Sequence, residues 1–189
     1  MNRITLASVL STAALSLAFV QPAAAVTQSR LMIQPGAHMC TLSLPTTDTK
    51  VRPRANGFRN EGTTSAFTIC SFDPTSGGGI STNFTSASVI LKSLDGADHS
   101  VTCTAVNSLP NSDAPGVGGA PQQFVSKTLT VNDSGPLTVF GTQFAWTPAD
   151  FGGTTDMPFT GGALSVTCNL PPQVSVITGI ASSAEDIGT

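Results

Sequence analysis

Ser100-Val101-Thr102-Cys103-Thr104-Ala105-Val106 is the stretch from which the rest of the chain is read. Val101, Cys103 and Ala105 alternate with Thr102 and Thr104. That is the period-two pattern of a strand with one buried and one wet face. Its first four residues recur as Ser165-Val166-Thr167-Cys168, where Val166, Cys168 and Leu170 again share a face. Each cysteine therefore sits on the apolar side of its strand. The pair predicts the stapled centre of an all-β domain.

Working outward, the chain offers four cysteines, Cys40, Cys70, Cys103 and Cys168. An even number in an exported chain favours disulfides over free thiols. Three pairings are open to four cysteines. The likeness of the two Ser-Val-Thr-Cys strands favours Cys103–Cys168, which leaves Cys40–Cys70. No Cys-x-x-Cys or His-x-His spacing suggests zinc, so no metal is expected.

Export itself is read from residues 1–25. Arg3 supplies a positive start, residues 4–20 are mostly apolar, and Gln21-Pro22 precedes Ala23-Ala24-Ala25. This is the build of a cleaved signal peptide, with a bacterial look to its Pro-Ala-Ala-Ala ending. Cleavage would start the mature chain at Val26. No later run approaches the roughly 20 apolar residues of a spanning helix. The expected location is the periplasm or the extracellular space.

Without Arg3, seven basic residues face eleven acidic ones, a formal charge of −4. Nucleic acid is then not an expected partner, because that binding depends on neutralising phosphates. Charged residues are only 10 % of the chain. Ser, Thr, Asn and Gly carry the polarity, which is poor for helices and, through Thr, suits strands.

Strands are predicted at 39–44, 65–72, 80–84, 86–94, 100–106, 124–131, 136–146, 165–170 and 174–180. A bulge is considered at Gly141. Residues 26–38 read as a lead-in, and 107–122 as a long Pro- and Gly-rich loop. Leu94-Asp95-Gly96-Ala97-Asp98 reads as a hairpin loop, since Asp-Gly between strands is a strong turn signal. Phe151, Met157 and Phe159 are expected to cover one end of the core. Together these give a single antiparallel β-sandwich, jelly-roll or Ig-like, of about eight or nine short strands over 26–180. A flexible tail is expected at 181–189.

Lys50, Arg52 and Arg54 alternate, and Arg59 lies just beyond. An extended backbone would set the first three on one face. Two readings compete: an anion-binding stripe for an acidic polysaccharide or a lipid head group, or a charged edge strand that discourages sheet-to-sheet pairing. Pro53 supports an edge, and the second reading is favoured.

Catalytic signals are sparse. His38 and His99 are the histidines, and Glu61 is the one glutamate before the tail. There is no Gly-x-Ser-x-Gly elbow and no His-Glu-x-x-His. The Gly77-Gly78-Gly79 run lacks the pattern of a phosphate cradle. Asp95 and Asp98 fall far short of a calcium loop. No cofactor is implied. Sugar-binding sandwiches stack sugar rings on flat aromatics, whereas this chain has no Tyr and one Trp, Trp146. Trp146 reads as a core residue beside Phe144.

The preferred expectation is a secreted, disulfide-bonded sandwich with a structural or interaction role at the cell envelope or outside the cell. Its partner would be an envelope protein or a polysaccharide. A lectin-like carbohydrate-binding module is the alternative, and a small secreted hydrolase the second alternative.

Overall fold

The structure, a computed structural model, describes residues 27–44, 50–72, 83–107, 122–132, 141–152 and 164–186. In chain order they form β1 (Thr27–Pro35), α1 (Gly36–Met39), β2 (Cys40–Leu42), β3 (Val51–Arg54), β4 (Gly57–Asn60), β5 (Ala66–Phe72), β6 (Asn83–Ser93) and β7 (His99–Asn107). β8 (Gln123–Val131), β9 (Thr142–Trp146), a 3-10 turn (Pro148–Phe151), β10 (Leu164–Leu170) and β11 (Val174–Asp186) complete them. The expected signal peptide, Met157, Phe159 and the loop expected at 108–121 lie outside the described residues.

The strands make two antiparallel sheets of a sandwich. Sheet A runs β3-β4-β11-β6-β9, with β1 also paired to β11, and sheet B runs β2-β5-β10-β7-β8. The central stretch is β7, and its likeness at 165–170 is β10, directly beside it. Val101, Cys103, Ala105, Val166, Cys168 and Leu170 turn inward and are fully buried. They meet Val89, Leu91, Phe144, Trp146, Val174 and Val176 of sheet A in one core. Each buried Val or Leu side chain is worth about 1.5–3 kcal/mol, so alternation in these strands largely sets which face turns in.

Cys103 faces Cys168 across β7 and β10, and Cys40 faces Cys70 across β2 and β5. Both pairs are disulfides, with Cα–Cα distances of 4.1 and 4.0 Å. Each therefore ties neighbouring strands within sheet B. Neither bridges the two sheets, as an Ig-type disulfide would.

Several boundaries differ from the sequence reading. Eleven strands are present among the described residues. The lead-in is β1, whose alternation is inverted: Leu31 and Ile33 point outward and are 64 % and 62 % exposed. A run in which Leu31 and Ile33 face solvent and Met32 alone packs against the core gives no usable pattern. The tail does not begin at 181, because β11 continues to Asp186 and pairs with β1 and β6. Its inward positions there are the small, buried Ala181 and Ser183. Small inward residues read as a polar tail. α1 is too short to show a helical period. It fits because Gly36 lies against β11, where a Cβ would come within 2.1 Å of the Val176 carbonyl.

Asp95-Gly96 does turn the chain, but not into a hairpin. β6 belongs to sheet A and β7 to sheet B. Both strands have a face to bury, and crossing between the sheets lets each face the core. At Gly141 the described strand β9 begins only at Thr142. Among the described residues, no helix is long and apolar enough to cross a membrane.

Candidate anion-binding site

Val51 turns into the core and Arg52 turns out, so β3 presents Arg52 and Arg54 to solvent. β3 is the edge of sheet A, the place where Pro53 is tolerated. A tight turn at Ala55-Asn56 then returns the chain into β4, with Arg54 opposite Gly57 and Arg52 opposite Arg59. Gly57 has φ +141°, and a Cβ there would come within 2.6 Å of the Val176 carbonyl. The hairpin was not legible in the sequence, because four-residue strands of mixed polarity give no periodicity.

Asn60 ends β4 and fixes the turn beyond it. Its buried amide donates to the carbonyls of Thr64 at 2.8 Å and Leu170 at 2.9 Å, and its Oδ1 accepts from the Gly62 N–H at 2.9 Å. The Leu170 bond ties sheet A to sheet B. The Glu61 N–H donates to the Lys50 carbonyl at 2.9 Å, which sets the Glu61 carboxylate beside the guanidinium groups.

Glu61 is shared unequally. Arg54 grips it with Nε donating to Oε1 at 3.1 Å and Nη2 donating to Oε2 at 2.5 Å. Arg52 and Arg59 approach only to 3.7 and 3.8 Å. Arg59 instead donates from Nη2 to Asn56 Oδ1 at 2.6 Å, and its Nε is buried without a hydrogen-bond partner. The hydrogen bond from Arg54 holds the Glu61 carboxyl below its usual range, and the same bond raises Arg54. One carboxylate thus faces three guanidinium groups.

The four cationic residues named from sequence are therefore not one stripe along a single strand. Arg52 and Arg54 lie along β3, Arg59 joins them from β4, and Lys50 precedes β3. Lys92 and Ser175, which no pattern in the sequence singled out, stand in register with Arg59. Only the strand order brings them there.

Other chemistry-bearing groups are engaged elsewhere. Asp95 Oδ1 accepts from Ser93 Oγ at 2.8 Å, the Ala97 N–H at 3.0 Å and His99 Nε2 at 2.8 Å. Ser93 and His99 both bond to the carboxylate rather than to each other, so this is a closed turn and not a nucleophile with its base. His38 is exposed on α1. Among the described residues no three His, Cys, Asp or Glu side chains gather as a metal site.

Trp146 is fully buried, and its Nε1 donates to the Val125 carbonyl at 3.1 Å. It offers no exposed platform for a sugar ring. A cleft of about 220 Å³ lies between β2 and β3, lined by Leu42, Leu44, Val51, Ala66, Phe67 and the hydroxyl residues Thr64 and Ser65. It contains neither a histidine nor a pair of carboxylates.

In comparisons with known proteins, no family model matches the chain, and neither a curated protein nor a solved structure matches it.

Proposed function

We propose that the protein acts after export, at the cell envelope or outside the cell, as a rigid structural or interaction module. The observation that carries this reading is the pair of buried disulfides closing neighbouring strands of sheet B. Such bonds persist in oxidising compartments. They stiffen a domain whose surface is left to meet a partner. The buried Trp146 weighs against stacking recognition of a neutral sugar, and the apolar cleft against acid–base chemistry.

Expression of the full chain with its leader, followed by fractionation, tests the reading. The expected product is outside the cytoplasm, begins at Val26, contains no alkylatable thiol, and binds saturably to isolated envelope or extracellular matrix. Retention in the cytoplasm with reduced cysteines would overturn it. So would turnover of an ester, peptide or glycoside substrate.

A further inference from the structure

Arg52 faces Arg59, Arg59 faces Ser175, and Ser175 faces Lys92 in the register of sheet A. Directly opposed residues of antiparallel strands project from the same side of the sheet. Arg52, Arg59 and Lys92 therefore line up across β3, β4 and β6, with Ser175 of β11 buried beneath them and its hydroxyl donating to the Phe58 carbonyl at 3.3 Å. At the usual strand spacing the row is roughly 14 Å long. Arg54 stands on the same face, two residues from Arg52. Five of the eight basic residues in the sequence, Lys50, Arg52, Arg54, Arg59 and Lys92, belong to these strands or adjoin them, on a chain whose formal charge is −3.

We propose that this row is a docking strip for an acidic polysaccharide, read through the carboxylates of its uronate sugars. The proposal rests on the interaction role above and names the surface and the partner.

Protection of a sheet edge accounts for Arg52 and Arg54, which lie on the edge strand. It does not account for Arg59 and Lys92. β4 and β6 are interior strands with a neighbour on each side. Like charges set directly opposite each other are destabilising, and Arg52 opposite Arg59 is such a pair. Glu61 closes on Arg54 and leaves the other two guanidinium groups at 3.7 and 3.8 Å. An external carboxylate set between Arg52 and Arg59 would offset their repulsion.

The protein's own ion pair shows the chemistry that suits such an anion. Arg54 holds the Glu61 carboxylate through two parallel donors, the bidentate geometry that fits a carboxylate. Arg52 carries the same fork, while Arg59, with Nε buried and Nη2 held by Asn56, turns Nη1 toward the carboxylate. The row repeats at strand spacing, about 4.8 Å, which is of the order of the step between sugars in an extended chain. A polymer bearing one carboxylate per sugar would meet Arg52 and Arg59 on adjacent steps and Lys92 two steps further. No exposed large apolar side chain among the described residues lies in the row, so it lacks the insertion a membrane site uses. It also lacks an aromatic on which a nucleic-acid base would stack.

The test is titration of the mature, oxidised protein with polygalacturonate at low salt, beside fully methyl-esterified polygalacturonate, phosphatidylglycerol vesicles and single-stranded DNA. The expected result is saturable binding to the free acid and none to the ester. Arg52→Glu with Arg59→Glu should weaken it at least about tenfold, while Arg30→Glu, far along the sheet on β1, should change it less than about twofold. Arg52→Lys with Arg59→Lys keeps the charge but not the fork, and should fall between. Melting temperature and thiol content of each variant establish that it is folded. Equal binding of the ester, an equal loss in Arg30→Glu, absence of binding by the wild type, or tighter binding to vesicles or DNA would each overturn the proposal. Envelope binding that survives those outcomes would leave the general interaction role standing, so the two readings fail separately.

Discussion

Lys127 Nζ lies 5.9 Å from the centre of the Trp146 ring, turned into the sandwich from the edge strand β8. The ammonium donates to the Ala145 carbonyl at 2.6 Å and pairs with Asp150 at 2.9 Å. Burial pushes the Asp150 carboxyl up, but the Thr147 N–H and Lys127 outweigh it and hold the group below its usual range. With the Trp146 Nε1 bond to Val125, these contacts tie the edges of the two sheets together.

Trp146→Ala should destabilise the fold by about 3–5 kcal/mol, as a fully buried large-to-small change. Lys127→Met should cost about 1–2 kcal/mol through its lost hydrogen bond and ion pair. Urea unfolding followed by circular dichroism measures both. The single Trp adds a second readout: native emission should be blue-shifted and resist iodide. A Trp146→Ala variant with an unchanged midpoint would show that the ring is not part of the core.

The two disulfides close loops of 30 and 65 residues. Chain entropy gives each about 4 kcal/mol, with the longer loop about 0.7 kcal/mol ahead. Replacing Cys103 and Cys168 together by Ala should therefore lower stability somewhat more than replacing Cys40 and Cys70. The reverse order, read from urea midpoints at equal slope, would mean that the loops are not what the bonds chiefly restrain.

Asn60 is buried with three hydrogen bonds satisfied, one of them across the sandwich to Leu170. Asn60→Ala strands two carbonyls and one N–H, and should cost about 2–4 kcal/mol. It should also release Glu61 from its place. Unaltered stability would refute the role assigned to the amide.

The hydrogen bond from His99, then those from the Ala97 N–H and Ser93, hold the Asp95 carboxyl well below the usual carboxylate range. The unfolded value is about 3.9. A depressed folded value means the contribution to stability is complete above about pH 4 and is lost as pH falls through the folded value. Asp95→Asn should melt earlier than wild type near neutral pH, and the gap should close below about pH 4. A gap that stays constant down to about pH 2 would rule out this linkage.

Alternation in β7 and β10 put Cys103 and Cys168 on apolar faces, and with the other short strands and their turn signals it pointed to an all-β sandwich. The reason is local: burying one face of a strand leaves a period-two record in its own residues. The single Trp beside Phe144 was legible as core for the same reason. Strand order leaves no such record. Asp95-Gly96 announces a turn, yet only the packing of the two sheets decided that β6 and β7 would enter different ones. β1 hid because Leu31 and Ile33 face outward, and 181–186 hid because its inward residues are small. The basic site follows the same division. Arg52 and Arg54 were visible as neighbours along one extended strand. Arg59 was noted without a place, and Lys92, 33 residues beyond it in the chain, had no local sign at all. Their row exists because β4, β11 and β6 pair in that order and register, which is set by long-range contacts and not by any stretch of sequence read alone.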